Sequence, residues 1–488
     1  MAESLGERRI ESAAIEAFAD AAGDRNPIHV DPVAARRLLT GGVVAHGMST
    51  LLWMLERHLA SGGAVPASLE ASFPRPLGPG DTAVLQRSPA ADGSTRLAVL
   101  LEGEEVSSAV LGGAGSRIAG EAPEGAFPRS EPEVNDFAAL KGARGSVPAR
   151  GLAGRDREAY PALFAGLGPR PIAGLMAVSR LVGMHCPGLH SLIASVRVQF
   201  DGDGEGDSAG PRDDLEWHVV RHSVAAAPVR VAFHGSGIAG HVDAFVRPAP
   251  VTQAAPAALR ARVDPGEFAG QSALVIGGSR GLGELAAKLV ALGGGDVVLT
   301  FHQGRADAQR VVDEIVALGG RCRLARFDAG QPRRDFEQIL ASLGWRSHIY
   351  YFAAPRIGRA KSRLFSPATL RDFTTVFVDA FGQLAAAAAA AAGTRRVRLF
   401  YPSTVFLDEM PREQAEYVAA KAAGEALCAH FNRHVAQLSV LSRRLPRLDT
   451  DQSAGLLSRQ AADPVPVLLE IVREMNRPDS TKAMKATE

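Results

Sequence analysis

The twelve residues SALVIGGSRGLG, 272–283, constrain this chain most: an apolar run passes directly into a glycine turn and then into the helical pattern ELAAKLVAL. Such a strand, tight turn and helix form the opening unit of a parallel sheet, because parallel strands must be joined by a crossover, usually a helix. From Gln271 onward the same grammar repeats, apolar strand then helix. That repetition predicts a parallel α/β sheet over residues 270–478.

The chain has 488 residues, and at roughly 100–200 residues per domain that predicts about three domains. Two stretches rich in Ala, Pro and Gly, Gly120 to Arg150 and Arg247 to Gly270, read as linkers. The blocks between, 1–120 and 151–250, echo each other. GMSTLLWMLERHLA runs into SLEASF in the first, and AGLMAVSRLVGMHCPG into SLIASVRVQF in the second, each followed by alternating segments. A helix followed by antiparallel strands, twice, predicts an α+β duplication.

Lys plus Arg (54) and Asp plus Glu (53) nearly cancel, which argues against nucleic acid or an anionic membrane as partner and favours a small molecule. Cys186, Cys322 and Cys428 form no CxxC pair and read as buried thiols of a reducing, cytoplasmic setting. The polar start MAESLGERRIES lacks a secretory pattern, and the apolar stretch Leu384 to Ala392 is nearly all alanine, expected as a buried helix.

In FADAAGDRNPIHVD, 18–31, Asp24 and His29 are five apart, a spacing that would not align them well on a regular helix. Asn26-Pro27 makes a turn that can aim both into one pocket. An acid and a base on one side of a substrate can give and take a proton in a single step. Gly47 opens the helical pattern 48–60, so its N–H can serve the charge developing on a carbonyl oxygen. His46 is read as structural. GDxNPxHxD followed by HGM resembles the MaoC-type, or R-specific enoyl-CoA hydratase, family over most of residues 8–120. The resemblance implies a hotdog fold with Asp24 and His29 as catalytic pair. The middle block lacks this motif and resembles the catalytically silent half of a double hotdog, with His185 and His190 as packing or surface residues.

In the third block Gly277, Gly281 and Gly283 permit a close backbone approach to a pyrophosphate, bordered by Ser279, Arg280 and Leu282. The second strand ends in Phe301-His302-Gln303 without the carboxylate that binds the 2′-hydroxyl of NAD, which favours NADPH. Arg280, and also Arg305, could neutralise its 2′-phosphate. Tyr417 and Lys421 are one helical turn apart, with Ser403-Thr404 upstream; a nearby cation makes a phenol a usable proton donor. GxxxGxG with YxxxK resembles the short-chain dehydrogenase/reductase family. The resemblance implies that Asp328 contacts the adenine, that Ala353 lies along the cofactor, and that a hydroxyl polarises the substrate carbonyl. Spacing from Tyr417 points to Thr404 for that hydroxyl, and the local pattern to Ser403, which is preferred. Two departures stand out. Phe352-Ala353-Ala354-Pro355 replaces the family's Asn-Asn-Ala-Gly, and Asp379 falls where the family has a catalytic asparagine.

Together these features predict a double hotdog followed by a Rossmann domain, acting as NADPH-dependent 3-ketoacyl-thioester reductase and 3-hydroxyacyl-thioester dehydratase. The acyl group would be carried on acyl carrier protein or coenzyme A in fatty acid or polyketide-type assembly, by a homodimer without a metal. The competing expectations are the reverse, degradative flow and a non-catalytic acyl-binding or carrier-docking module.

Overall fold

The computed structural model describes residues 2–38, 40–90, 92–135, 137–152, 157–200, 213–222, 228–355, 357, 365–412, 414–451 and 461–477. The outer bounds 1 and 478 of the expected domains fall outside them. Two compact units result, one made by the chain up to Ala249 and one beginning at Pro250.

The first unit is built on ten strands: β1 (Glu3–Arg9), β2 (Pro66–Ser72), β3 (Thr82–Pro89), β4 (Thr95–Leu101), β5 (Glu104–Ala114), β6 (Arg144–Pro148), β7 (Ser191–Gln199), β8 (Asp214–Arg221), β9 (Val229–Gly235) and β10 (Ile238–Val246). Their order in one sheet is β1-β3-β4-β5-β2-β7-β10-β9-β8-β6. Read outward from the centre, the two halves have the same order of strands, so the duplication is real and the halves join through β2 and β7, antiparallel with Leu69 opposite Val198. Alternation sets the inner face: Leu97, Val99 and Leu101 of β4 are buried while their neighbours are part-exposed. That face covers two helices of matching origin. In the first half α1 (Ser12–Ala22) and the short α2 (Pro27–Val30) precede the long α3 (Gly47–Ala60), and in the second the counterpart of α3 is α4 (Pro169–Arg180). Met48, Leu51, Leu52 and Leu55 of α3 and Ile172, Leu175 and Val178 of α4 are buried in one shared core. A long helix wrapped by an antiparallel sheet, twice over, is the double hotdog.

Neither glycine- and proline-rich stretch is a plain linker. Residues 144–148 form the edge strand β6, paired with β8, and Val147 is fully buried. Five residues are too short to stand out among flanking Gly, Ala and Pro, and the strand exists because β8 supplies its hydrogen bonds. Likewise Leu259 and Phe268 of the second stretch are buried in the core of the following unit.

That second unit has six parallel strands, β11 (Ser272–Ile276), β12 (Asp296–Phe301), β13 (Arg321–Arg326), β14 (His348–Tyr351), β15 (Val397–Thr404) and β16 (Leu438–Leu445), in the order β13-β12-β11-β14-β15-β16. This is the Rossmann order, whose strand direction of travel reverses beside β11 and leaves a crevice at the carboxyl ends of β11 and β14. Helix α5 (Gly281–Leu292) leaves that point; α6 (Pro367–Thr374), α7 (Phe381–Ala392) and α8 (Ala415–His434) pack on the later strands. Among the described residues the continuous helical stretch Pro367–Ala392 is the one long and apolar enough to cross a membrane. Here its Phe381, Leu384, Ala385 and Ala388 are buried with Tyr351 and Tyr401 in the sheet's core.

Candidate functional sites

In the first unit the turn expected at Asn26-Pro27 exists, and it is held from the other half. Asn26 Nδ2 donates to the Gly183 carbonyl at 2.7 Å, while Asn26 Oδ1 caps α2 by accepting from Ile28 N at 3.2 Å. The turn brings the Asp24 carboxylate and ring nitrogens of His29 and His46 within 4.8 Å of one another. Asp24 is 2 % exposed and its Oδ2 accepts from Ser179 Oγ at 2.7 Å. Burial raises its pKa, against the opposing pull of His29 and of Ser179. His29 Nδ1 faces the Val44 carbonyl at 2.8 Å; a carbonyl can only accept, so Nδ1 carries the proton and Nε2 keeps its lone pair. Burial lowers the His29 pKa, partly offset by Asp24. The two proton affinities are thereby drawn toward each other, as an acid and base pair requires.

His46 is buried, stacked on His29 with ring centroids 3.7 Å apart, and donates from Nε2 to the Asp24 carbonyl at 3.0 Å. Burial holds its pKa well below the ordinary value, so it serves as a neutral brace. Gly47 opens α3, and its N–H therefore has no acceptor within the helix. A Cβ there would press on the Phe73 ring at 3.3 Å. The second half lacks its own motif yet contributes to this pocket. Besides Ser179, it brings Gly183, where a Cβ would collide with the Asp24 carboxylate, and Arg180, which donates from Nη1 to the Gly23 carbonyl at 2.9 Å. None of these was visible in the sequence reading; the internal repeat was the available signal, since it makes α4 the partner of α3. His185 is half-exposed on Glu133 at 2.8 Å.

In the second unit Gly277 and Gly281 have φ of +78° and +59°, a backbone region that favours glycine. A Cβ on Gly277 would stand 2.9 Å from Ala353 N and the Phe352 carbonyl, and one on Gly283 would collide with the Gly277 carbonyl. The Phe352–Pro355 segment thus lies directly against the glycine turn. With Ser279 buried and the amino end of α5 open beside Arg280, Gly281 and Leu282, the main chain has the shape and polarity to take a dinucleotide pyrophosphate. Arg280 Nη1, however, is 3.5 Å from the buried carboxylate of Asp451, and Asp328 Oδ1 accepts from Gly330 N at 2.8 Å, with His302 Nδ1 at 3.8 Å.

Two expected site residues, Ser403 and Asp379, have other surroundings than the sequence suggests. Ser403 and Thr404 are neighbours on β15 and so face opposite sides. Thr404 lowers the pKa of the Tyr417 phenol, whereas Ser403 Oγ donates to Glu425 at 2.5 Å, a carboxylate also held by Arg444. Asp379 is exposed. It lies on a π-helical turn, Thr375–Ala380, between α6 and α7, and two residues along a helix point nearly opposite ways. The side chain facing inward is Phe377, whose ring centroid is 3.7 Å from Lys421 Nζ.

Lys421 is 3 % exposed, donates to the Pro402 carbonyl at 2.7 Å, and has the Tyr401 and Tyr417 rings 4.9 and 5.8 Å away. Burial brings its pKa down to about 7. Tyr417 stands edge-on to Phe373, Phe377 and Phe406, and burial pushes its phenol up to about 12, with Thr404 acting the other way.

Residues 3–90 match the family described as MaoC like domain. No curated protein matches the chain. Solved structures align with it over less than half its length. A short chain dehydrogenase from Burkholderia cenocepacia J2315 in complex with NADP is 23% identical, covers 43% of this chain and 92% of its own, and has a TM-score of 0.40. The angucycline C-6 ketoreductase LanV with bound NADP is 19% identical over 44% of this chain and 92% of its own, at a TM-score of 0.38. Residues 3–90 are thus similar to the MaoC like domain, and the unit after them has the six-stranded parallel sheet of a Rossmann-type fold.

Proposed function

We propose that the protein reduces 3-ketoacyl thioesters with NADPH in its second unit and dehydrates the resulting 3-hydroxyacyl thioesters in its first. The observation that carries this reading is that each unit gathers its own proton-handling set, Asp24 with His29 in one and Thr404, Tyr417 and Lys421 in the other. In the reductase, bound NADPH supplies the hydride. Thr404 and Tyr417 bind the ketone oxygen, Tyr417 gives that oxygen its proton, and Lys421 in its charged form makes the phenol acid enough to do so. NADPH is favoured over NADH by the Phe301-His302-Gln303 strand end. Because Arg280 is engaged by Asp451, Arg305 is the second cation proposed to meet the 2′-phosphate.

In the dehydratase, His29 Nε2 takes the α-proton and Asp24 hands a proton to the departing hydroxyl, which leaves as water; Gly47 N–H steadies the thioester oxygen meanwhile. Ser179 orients Asp24. Carrier protein or coenzyme A, a biosynthetic direction, a cytoplasmic setting and a homodimer belong to this proposal too.

The test supplies a short 3-ketoacyl thioester with NADPH, and separately an enoyl thioester without nicotinamide, and follows products by mass spectrometry. Hydroxy and enoyl products from the first and hydration of the second are expected. Tyr417→Phe should leave the ketone untouched while still hydrating the enoyl substrate. A Tyr417→Phe protein that reduces at the normal rate refutes the reductase assignment, and tighter binding of NAD⁺ than of NADPH refutes the direction.

A further inference from the structure

The first unit holds a second charge beside the Asp24–His29 turn. Arg247 follows β10 directly; its backbone N–H donates to the His190 carbonyl at 2.7 Å and its Nη2 to the Leu189 carbonyl at 2.5 Å. The Leu189 carbonyl also accepts from Asn26 Nδ2 at 3.3 Å. The guanidinium is therefore a neighbour of the residue that shapes the turn, and its charge is felt by His29, whose proton affinity it lowers.

Arg247 is 2 % exposed, and among the described residues its Nε and Nη1 have no hydrogen-bond partner. Burial alone acts on its pKa, bringing it to about 10 with no carboxylate to offset it. Arg180 makes the contrast clear, since it rests over the Phe127 ring at 4.3 Å and Asp24 compensates its charge. A buried cation with open donors and no counter-ion is strongly unfavourable, and an anion brought by a ligand relieves it.

We propose that Arg247 receives a carboxylate carried on the acyl group, so that the first site prefers thioesters of dicarboxylic acids to neutral ones of the same length. The proposal rests on the thioester reading above and adds the substrate class. The other anion such substrates carry is the phosphate of the pantetheine arm, which that arm holds away from the reacting carbons; Arg247, which shares the Leu189 carbonyl with Asn26, is assigned to the acyl end.

Calorimetric binding of two saturated, unreactive probes to the full chain tests this. Glutaryl-pantetheine carries the carboxylate, and pentanoyl-pantetheine matches its length without it. The wild-type chain should bind the first at least about tenfold more tightly. Arg247→Met should abolish that preference and melt no lower than wild type, because it removes an uncompensated charge. Should the methionine variant fail to fold, Arg247→Lys keeps the charge and should keep part of the preference. Equal affinities in the wild type, or a preference surviving Arg247→Met, overturn the assignment. So does an Arg247-dependent gain for pentanoyl-phosphopantetheine, which would make the phosphate the anion. Hydration of 2-pentenoyl-pantetheine without any carboxylate preference defeats this inference alone, and a preference without hydration defeats the hydratase reading alone.

Discussion

At the scale of single residues, the chemistry turns on which face of a strand or helix a side chain occupies. The local pattern favours Ser403 for the hydroxyl, while in the structure Ser403 donates to Glu425 and Thr404 is the hydroxyl that lowers the Tyr417 pKa. Thr404→Ala is expected to lower kcat for ketone reduction about 10²-fold, and Ser403→Ala only a few-fold, as read by NADPH oxidation. Lys421 adds a pH signature. Folded, it loses its proton near pH 7 instead of its ordinary 10.5, so the cost of burying its charge is full below pH 7. That cost fades as pH rises toward the unfolded value, because there only the unfolded chain still holds the proton. Lys421→Met should therefore flatten the rise of stability between pH 7 and 10 in denaturant titrations. Reduction by the wild type should decline as pH climbs through about 7, since the phenol then loses its cation; a flat profile would count against this role.

At the scale of elements, both sites lie beside a π-helical turn, Leu181–His185 in one unit and Thr375–Ala380 in the other. Such turns shift which residues face inward. The first lets Gly183 sit against Asp24, where Gly183→Ala should cost at least about 10²-fold in dehydration by displacing the carboxylate, with reduction unchanged in the same preparation. The second turns Phe377 onto Lys421 and Asp379 to solvent. Phe377→Asn should raise the Lys421 pKa by supplying a polar neighbour, moving the decline in reductase rate to higher pH; an unmoved profile would show that the ring does not set it. These local shifts explain what was legible. The helix Gly47–Ala60 and the strand Thr95–Leu101 were readable because long apolar periodicity reports burial directly. The edge strand Arg144–Pro148 and the inward face of 375–380 were not, since pairing partners and a helical irregularity decide them, and neither is written in local pattern.

At the scale of the whole molecule, duplication explains why one motif suffices for ten strands. The half without the motif supplies Ser179 and Gly183 to the pocket of the other, so it has a structural share in the site without an acid and base pair of its own. Sequence disclosed the Asp24–His29 pair and the Tyr417–Lys421 pair because each sits within one short segment. It hid the residues that come from more than a hundred positions away. Under the proposed function the two units act in succession on one acyl group. Mass spectrometry of products from Asp24→Asn, given a 3-ketoacyl thioester and NADPH, separates succession from independent action. Succession predicts NADPH consumption at the wild-type rate with the 3-hydroxyacyl thioester accumulating; enoyl product formed at the wild-type rate would contradict it.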